Sequence, residues 1–464
     1  KRRRLKLKTI MEIKVGKFPS DSEKVRIYEV TTYLDLYENR QKGVLGLHEI
    51  IENQYKNAKD VVYLAHAIPA RISDFYGDFV QGNVSQLTIT TEEENHQEFI
   101  NGVVDFNDLK EMVYDMGVDQ SEFGYFALHT WKDENDRTYI DLIPQDQFFP
   151  QSDGSVIIST YKKDDRGVTD QFYALTQNYQ LEGDKVVITR QGWKADSKGV
   201  LVEEVNIKVL NELIGVNYEV TQTLEIDTIP IIQVDNGRPM SSGYGKSDYN
   251  DILPQLAELN ERATHISTQL LKNLDAKMQI PKTDETVNED GTLKQWDTLV
   301  VDGKDSAEAK YILNTNPLIE STERHIELQL KMISFFSSVP MFELLKSSMP
   351  ERVEALRIQL FSAIRKTDTK RSKIEKGLKD ILKIAGKLSS IEIEDITMKF
   401  GDVLPVDEYQ QARTEEVRIK SGNTSKQSSI KRLDNVNDEV ADEELEKISE
   451  EDKIAGVGDT VPTL

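Results

Sequence analysis

Gly243-Tyr244-Gly245-Lys246-Ser247 is the stretch whose residue types come nearest to catalysis, because a Gly-Lys-Ser turn can cradle phosphate with backbone amides and an ammonium. A phosphate loop needs glycine at both ends of G-x-x-x-x-G-K-[ST], and counting back from Gly245 lands on Met240. The stretch follows a proline-containing loop and no clear buried strand, so a tight turn is the better reading. A nucleotide-dependent enzyme using Gly245, Lys246 and Ser247 is the alternative. His48-Glu49 opens like a zinc-protease helix, but Glu52 stands where the second histidine is needed. The other histidines, His66, His96, His129, His265 and His325, have no ligand spacing. Asp133, Glu134, Asp136 and Asp141 could be imagined around magnesium, yet Asp-Glu-Asn-Asp before a strand is ordinary turn chemistry. Asp302-x-Lys304 is only a weak echo of a nuclease, and no G-x-S-x-G elbow occurs. No cofactor is expected.

Composition narrows the chemistry further. The 464 residues carry 58 Lys+Arg against 81 Asp+Glu, a formal charge of −23. That surplus disfavours tight, sequence-independent DNA binding, which needs cations on phosphates, but suits a surface that lets DNA pass without sticking. The absence of cysteine removes disulfides, thiolate metal sites and cysteine nucleophiles. Basic Lys1 to Lys8 is followed by no apolar segment, so a secretory signal is not expected, and stretches such as Val61 to Ala70 are too short to span a membrane. With 38% hydrophobic residues the chain can build real cores.

The elements that must position any site follow from periodicity. Ser20 to Lys59 reads as amphipathic helices, and residues 60–240 as mostly antiparallel β structure with some helix, punctuated by Asp153-Gly154, Arg166-Gly167 and Glu182-Gly183. Asp248 to Ala276 is helical through Ile252, Leu256, Leu259, Ile266 and Leu270, with Pro254 kinking or delimiting its start. Met278 to Asn314 is an extended insert with a hairpin over Gly291 to Gly303. Asn316-Pro317 caps a second helix that stops at Val339-Pro340, and Pro350 opens a very long helix ending near Gly386. Ile391 to Phe400 alternates like a strand. Beyond Pro405 come two short acidic helices, the first with a capping box at Thr424-x-x-Gln427, and a polar tail.

Two features stand above this background. The long helix collects Arg352, Arg357, Arg365, Lys366, Lys370, Arg371, Lys373, Lys376, Lys379 and Lys383 in an otherwise acidic chain. Such a face is either simply solvated or meets an acidic neighbour. The other feature is a pair of amphipathic helices flanking an insert and followed by a proline-bounded loop.

Three stretches resemble the portal protein family of tailed bacteriophages. The segments Ile229 to Asn236, Gly243 to Asp248 and Ile252 to Glu261 look like that family's approach to its first stem helix. Ile72 to Gly77 with Gly124 to Pro150 is similar to the family's wing, and Ser421-Gly422-x-x-Ser425 followed by Asp438 to Glu451 resembles its C-terminal crown.

The resemblance implies an α+β portal-type fold: an α/β wing, a two-helix stem, a small β-containing clip, a long wing helix and a helical crown, closed into a ring oligomer. Mapped onto this chain it gives a basic arm (1–19), wing (20–240), first stem helix (241–277), clip (278–316), second stem helix (317–338), tunnel loop (339–349), wing (350–404), and crown with acidic tail (405–464). It implies a non-enzymatic ring of about twelve subunits that conducts double-stranded DNA at the capsid vertex of the virion after assembly in host cytoplasm. Its partners would be the terminase large subunit, head-completion and tail adaptors, and the major capsid and scaffold proteins, with no membrane. A capsid scaffold or other interaction protein is the remaining alternative.

Site residues follow from this mapping. Glu320, Glu323, Glu327 and Lys331, at helical spacing, are candidates for rings of charge in the channel. Met341, Phe342, Leu344 and Leu345 are too apolar for an ordinary solvent loop and would touch DNA beside Lys346, or in a plain helical hairpin cap its core. Trp296 would anchor docking at the clip, or else fill a hairpin core or a subunit contact. Arg357, Arg365, Lys373 and Lys376 would meet the next subunit.

Overall fold

The structure, a computed structural model, describes residues 11–44, 63–164, 171–197, 199–237, 243–273, 277–281, 298–301, 310–312, 318–341, 357–401, 408–434, 441–442 and 444–448. The chain forms two compact units, Lys1–Met349 with Gln359–Gly401, and Pro350–Ile358 with Asp402–Leu464.

The first unit opens with α1 (Asp21–Tyr37), whose first-turn acids Asp21 and Glu23 complement the positive helix start. Among the described residues, α2 (Ile68–Gln81), α3 (Glu94–Phe106) and α4 (Leu109–Glu122) follow, with a short strand β1 (Thr88–Thr90) between α2 and α3. This part of the chain is more helical than the sequence reading expects. Ile68, Ile72, Tyr76 and Val80 are buried at four-residue steps, so β-branched and aromatic residues that suggest strands here line a helix face.

The strands then come in order: β2 (Tyr125–Lys132), β3 (Thr138–Ile143), β4 (Phe148–Pro150), β5 (Val156–Asp164), β6 (Gln171–Glu182), β7 (Lys185–Ala195) and β8 (Leu201–Val205). After helix α5 (Ile207–Ile214) come β9 (Thr221–Leu224) and β10 (Ile231–Asp235). Two antiparallel sheets result. One has the order β10-β2-β3; the other runs β4-β5-β6-β7-β8, with β9 also pairing with β7. Residues 11–19, placed in a basic arm by the sequence reading, pack on the larger sheet: Phe18 is fully buried with Phe149, Trp193 and Leu201, and the Gly16 amide donates to the Leu201 carbonyl.

Helix α6 (Leu253–Asn273) and helix α7 (Leu318–Ser337) form the expected helical pair, with Pro254 in the first turn of α6 delimiting it. Between them lie β11 (Lys277–Pro281), β12 (Thr298–Val301) and β13 (Lys310–Ile312). The hairpin expected over 291–303 lies mostly outside the described residues; of it, 298–301 form β12, which runs parallel to β11, while β13 pairs antiparallel with β11 on the other side. A parallel partner lies far along the chain, where local alternation carries no information.

Helix α8 (Phe361–Leu388) is the long helix; residues 357–359 ahead of it are also helical, Leu360 between them lies outside helical geometry, and the start expected at Pro350 lies outside the described residues. Its Ile374, Leu378, Ile381 and Leu382 fill the main core against Phe126, Leu128 and Ile140 of the small sheet and Val113 and Met116 of α4. Gly377 permits this closeness, since a Cβ there would sit 2.4 Å from Val234 Cγ2. The strand expected over 391–400 shrinks to β14 (Thr397–Lys399), which pairs with β1.

In the second unit, α9 (Glu408–Lys420) and α10 (Lys426–Asp434) are the described helices of any length. The cap of α10 is Ser425, whose Oγ accepts from the Ser428 amide, one residue later than the expected Thr424 box. Helix α9 begins well before that box, where a sequence poor in apolar periodicity gives no signal.

Candidate functional site

The candidate site is the pair α6 and α7 and the elements packed against their roots. α6 is launched by the glycine turn, every part of which is built into the fold. Gly245 passes so close to Gly124 that a Cβ would overlap its carbonyl oxygen, Lys246 pairs with Asp251, and Ser247 Oγ accepts from the Tyr249 amide. No cradle for a phosphate is left in this turn.

Leu256 and Leu259 of α6 share a core with Leu330 and Ile333 of α7 and with Ile72 and Tyr76 of α2. His325 contacts Glu258 at 3.0 Å, and Arg262 donates to the same carboxylate at 2.8 Å, which holds Glu258 below its usual range against the opposing effect of burial. Glu323 and Lys331 are exposed and Glu327 half-buried, so these form a solvent-facing charged stripe; the Glu320 side chain lies outside the described residues. Beside the stripe, Leu328, Met332 and Phe335 are exposed, Phe335 to 77%.

The loop after α7 is described only as far as Met341, which is 7% exposed and packs in the core shared by α2, α6 and α7 instead of projecting from it. Phe342, Leu344, Leu345 and Lys346 lie outside the described residues, as does Trp296. Arg365, Lys373 and Lys376 are exposed on α8, and Arg357 is exposed in the second unit.

The basic face of α8 is not uniformly outward. Lys366, Lys370 and Arg371 turn in, because positions 363, 367, 370 and 374 form the buried stripe of the helix. Asp248, ahead of α6, receives Lys366 and Lys370, each at 3.1 Å, along with Ser121 Oγ at 2.9 Å and Asn236 Nδ2 at 2.8 Å. Lys370 is 1% exposed, and the ring of Tyr76 lies 4.8 and 4.9 Å from the two ammonium groups. Burial alone would raise the Asp248 carboxyl, but Lys370, Lys366 and Asn236 bring it down to about 2. For Lys370 burial wins: desolvation and the charge of Lys366 outweigh Asp248 and pull it down to about 8. The opposite outcomes are consistent, since one carboxylate gains from two cations while each cation also feels the other. A lysine in the apolar stripe was the signal available in the sequence; its partner Asp248 was not.

A second buried acid, at the end of α4, directly follows Ser121, one of the donors to Asp248. Glu122 is 3% exposed, its Oε1 has no hydrogen-bond partner, and burial together with Asp119, Glu38 and Asp74 pushes its pKa up to about 9. It folds as the neutral acid. The folded state therefore holds a proton that the unfolded chain releases near its ordinary value of 4.5, so the favourable contribution is complete below that pH and fades as pH rises toward 9. Glu122→Gln should stabilise the protein by on the order of 3 kcal/mol at pH 8 and have little effect at pH 4.5. Urea unfolding at both pH values measures it, and an equal effect at the two would count against a neutral Glu122.

Among the described residues no group of three or more His, Asp or Glu could hold a metal ion, and no helix is long and apolar enough to cross a membrane.

No curated protein matches this sequence. Among solved structures, a chain in the neck of an empty gene transfer agent particle, computed with sixfold symmetry, aligns at a TM-score of 0.46 and 12% identity, covering 84% of this chain and 94% of that one. A chain in the virion of a native gene transfer agent particle aligns at 0.44 and 10% identity, with the same coverages of 84% and 94%. Neither likeness carries the assignment. The sequence does match the family described as phage portal protein, SPP1 Gp6-like, from residue 18 to residue 456. With nearly its whole length inside that match, the chain belongs to the phage portal protein family.

Proposed function

We propose that this portal protein works as a closed ring at the capsid vertex of the virion, through which double-stranded DNA is packaged and later ejected. The family match over residues 18–456 is the observation that carries this reading. The charge supports it: a ring of about twelve chains would carry roughly 276 excess negative charges, so phosphates would slide past without being held. The exposed stripe of Glu323, Glu327 and Lys331, with Glu320 on the same helix, is placed toward the channel in this reading. The loop from Val339 to Met349 would supply neutral contacts through Phe342, Leu344 and Leu345, with Lys346 as its cation and Met341 as its root.

The ring has no catalytic step of its own. ATP hydrolysis would belong to the terminase large subunit, docking at the clip and later replaced there by head-completion and tail adaptors, with capsid and scaffold proteins on the outside of the ring. Assembly in the host cytoplasm precedes incorporation in the virion. Trp296 is the proposed anchor for docking, tested by terminase binding to assembled rings carrying Trp296→Ala.

Arg365, Lys373 and Lys376 offer a cationic surface that an acidic face of the next copy would complement, and Arg357 is proposed for the same interface. Native mass spectrometry of the purified chain should show one closed oligomer at about 0.1 M salt. Lys373→Glu with Lys376→Glu should shift it toward monomer. Monomers alone from the parent chain at low and moderate salt would overturn ring assembly.

A further inference from the structure

Helix α7 ends against a set of contacts that its own sequence does not supply. Ser338 adopts a left-handed conformation (φ 62°) that terminates the helix, and the Val339 amide folds back to Ser337 Oγ at 3.1 Å while Ser334 Oγ donates to the Val339 carbonyl at 2.8 Å. The last carbonyls of a helix have no partner within it and carry the negative end of the helix dipole. The Ser337 carbonyl is one of these, and two groups from elsewhere in the unit serve it. Tyr76 Oη of α2 donates to it at 2.6 Å, and Lys366 Nζ of α8 at 3.1 Å.

Lys366 is also one of the two cations on Asp248, at the start of the other stem helix. One ammonium group thus bridges the beginning of α6 and the end of α7. Lys370 secures the same carboxylate from the next turn of α8 and reaches Asn236 Oδ1 at 3.1 Å, tying the assembly to the end of β10. The charges and donors come from five elements of one unit: α2, α4, the turn after β10, the α7 terminus and α8. Packing alone could bring α6 and α7 together through Leu256, Leu259, Leu330 and Ile333. It would leave their axial register loose, since apolar surfaces are non-directional. A carboxylate and a helix-end carbonyl held by one cation fix that register, because hydrogen bonds to charged groups have both direction and strength.

We propose that Lys366, backed by Asp248, Lys370 and Tyr76, is a positioning residue that locks the end of α7 to the start of α6 and so sets where the 339–349 loop leaves the stem. The lock itself is a property of the folded chain; its effect on DNA rests on the portal reading above. A shift of either helix along its axis would break contacts at Asp248 or at Ser337.

Hydrogen exchange on the purified protein tests the lock without reference to DNA. In Lys366→Met the amides of Ser338, Val339 and Met341 should exchange about tenfold faster or more, the range that loss of a charged hydrogen bond implies. Amides of β2 and of α8 beyond Ile374 should keep their parent rates. Tyr76→Phe keeps the ring beneath both lysines and removes only the hydroxyl, so it should speed the same three amides by a smaller factor even where Lys366→Met folds poorly. Unchanged exchange at those amides in Tyr76→Phe, or acceleration spread evenly over the unit in both variants, would overturn the proposal. Packaging by phage carrying Lys366→Met is the separate arm: local loosening with normal packaging would keep the lock and count against the role of the loop on DNA.

Discussion

Lys370→Met is expected to destabilise the first unit by about 3 kcal/mol, at the lower end of the range for removing one partner of a buried ion pair. The lower end applies because Asp248 keeps Lys366, Ser121 and Asn236 when Lys370 is gone. What is lost is the more deeply buried of its two cations and a bond to Asn236, while methionine fills most of the lysine stem's volume. Adding Asp248→Asn should recover much of the loss, since replacing both charges removes the uncompensated carboxylate. Urea unfolding of the parent, the single variant and the double variant reads the effect. A single variant within about 0.5 kcal/mol of the parent would show the buried pair to be without net consequence.

Shortening the chain from Phe342 to Ser347 is expected to leave ring assembly intact and to lower DNA packaging or retention by about tenfold or more, equivalent to roughly 1.4 kcal/mol in the barrier. The deletion spares Met341, which is buried among Tyr76, Leu256, Leu330 and Ile333. It also spares Ser337 and its contacts to Lys366 and Tyr76. The removed side chains include Phe342, Leu344, Leu345 and Lys346, the apolar and cationic groups proposed to touch DNA. Ring assembly by native mass spectrometry and the length of packaged genome are the two readouts. Packaging at the parent rate and to full length by a shortened ring would remove the loop from the mechanism. Failure of the ring to form would instead place these residues in the subunit contact.

The helices α6 and α7 and the long helix were legible in the sequence, because their apolar residues recur with helical period and proline marks where α6 begins. Portal membership was legible too, through the order of elements from Ile229 to Glu261, and the family match agrees with it. The helices of residues 68–122 were not, since Ile72, Tyr76 and Val80 satisfy a strand's preferences as readily as a helix face. The insert between α6 and α7 showed extended runs but hid their pairing: β12 lies parallel to β11, and no local pattern specifies a parallel neighbour. Composition counted α8 as basic, yet only the fold sorted its cations into exposed Arg365, Lys373 and Lys376 and inward Lys366 and Lys370. That sorting depends on Asp248, more than a hundred residues away, arriving at the buried stripe of α8. Periodicity is a property of neighbours in the chain, and so the sequence determined α6, α7 and α8, whose apolar faces repeat at helical spacing. Which charge is buried depends on partners that meet only when the chain is folded, and that was decided by the tertiary structure.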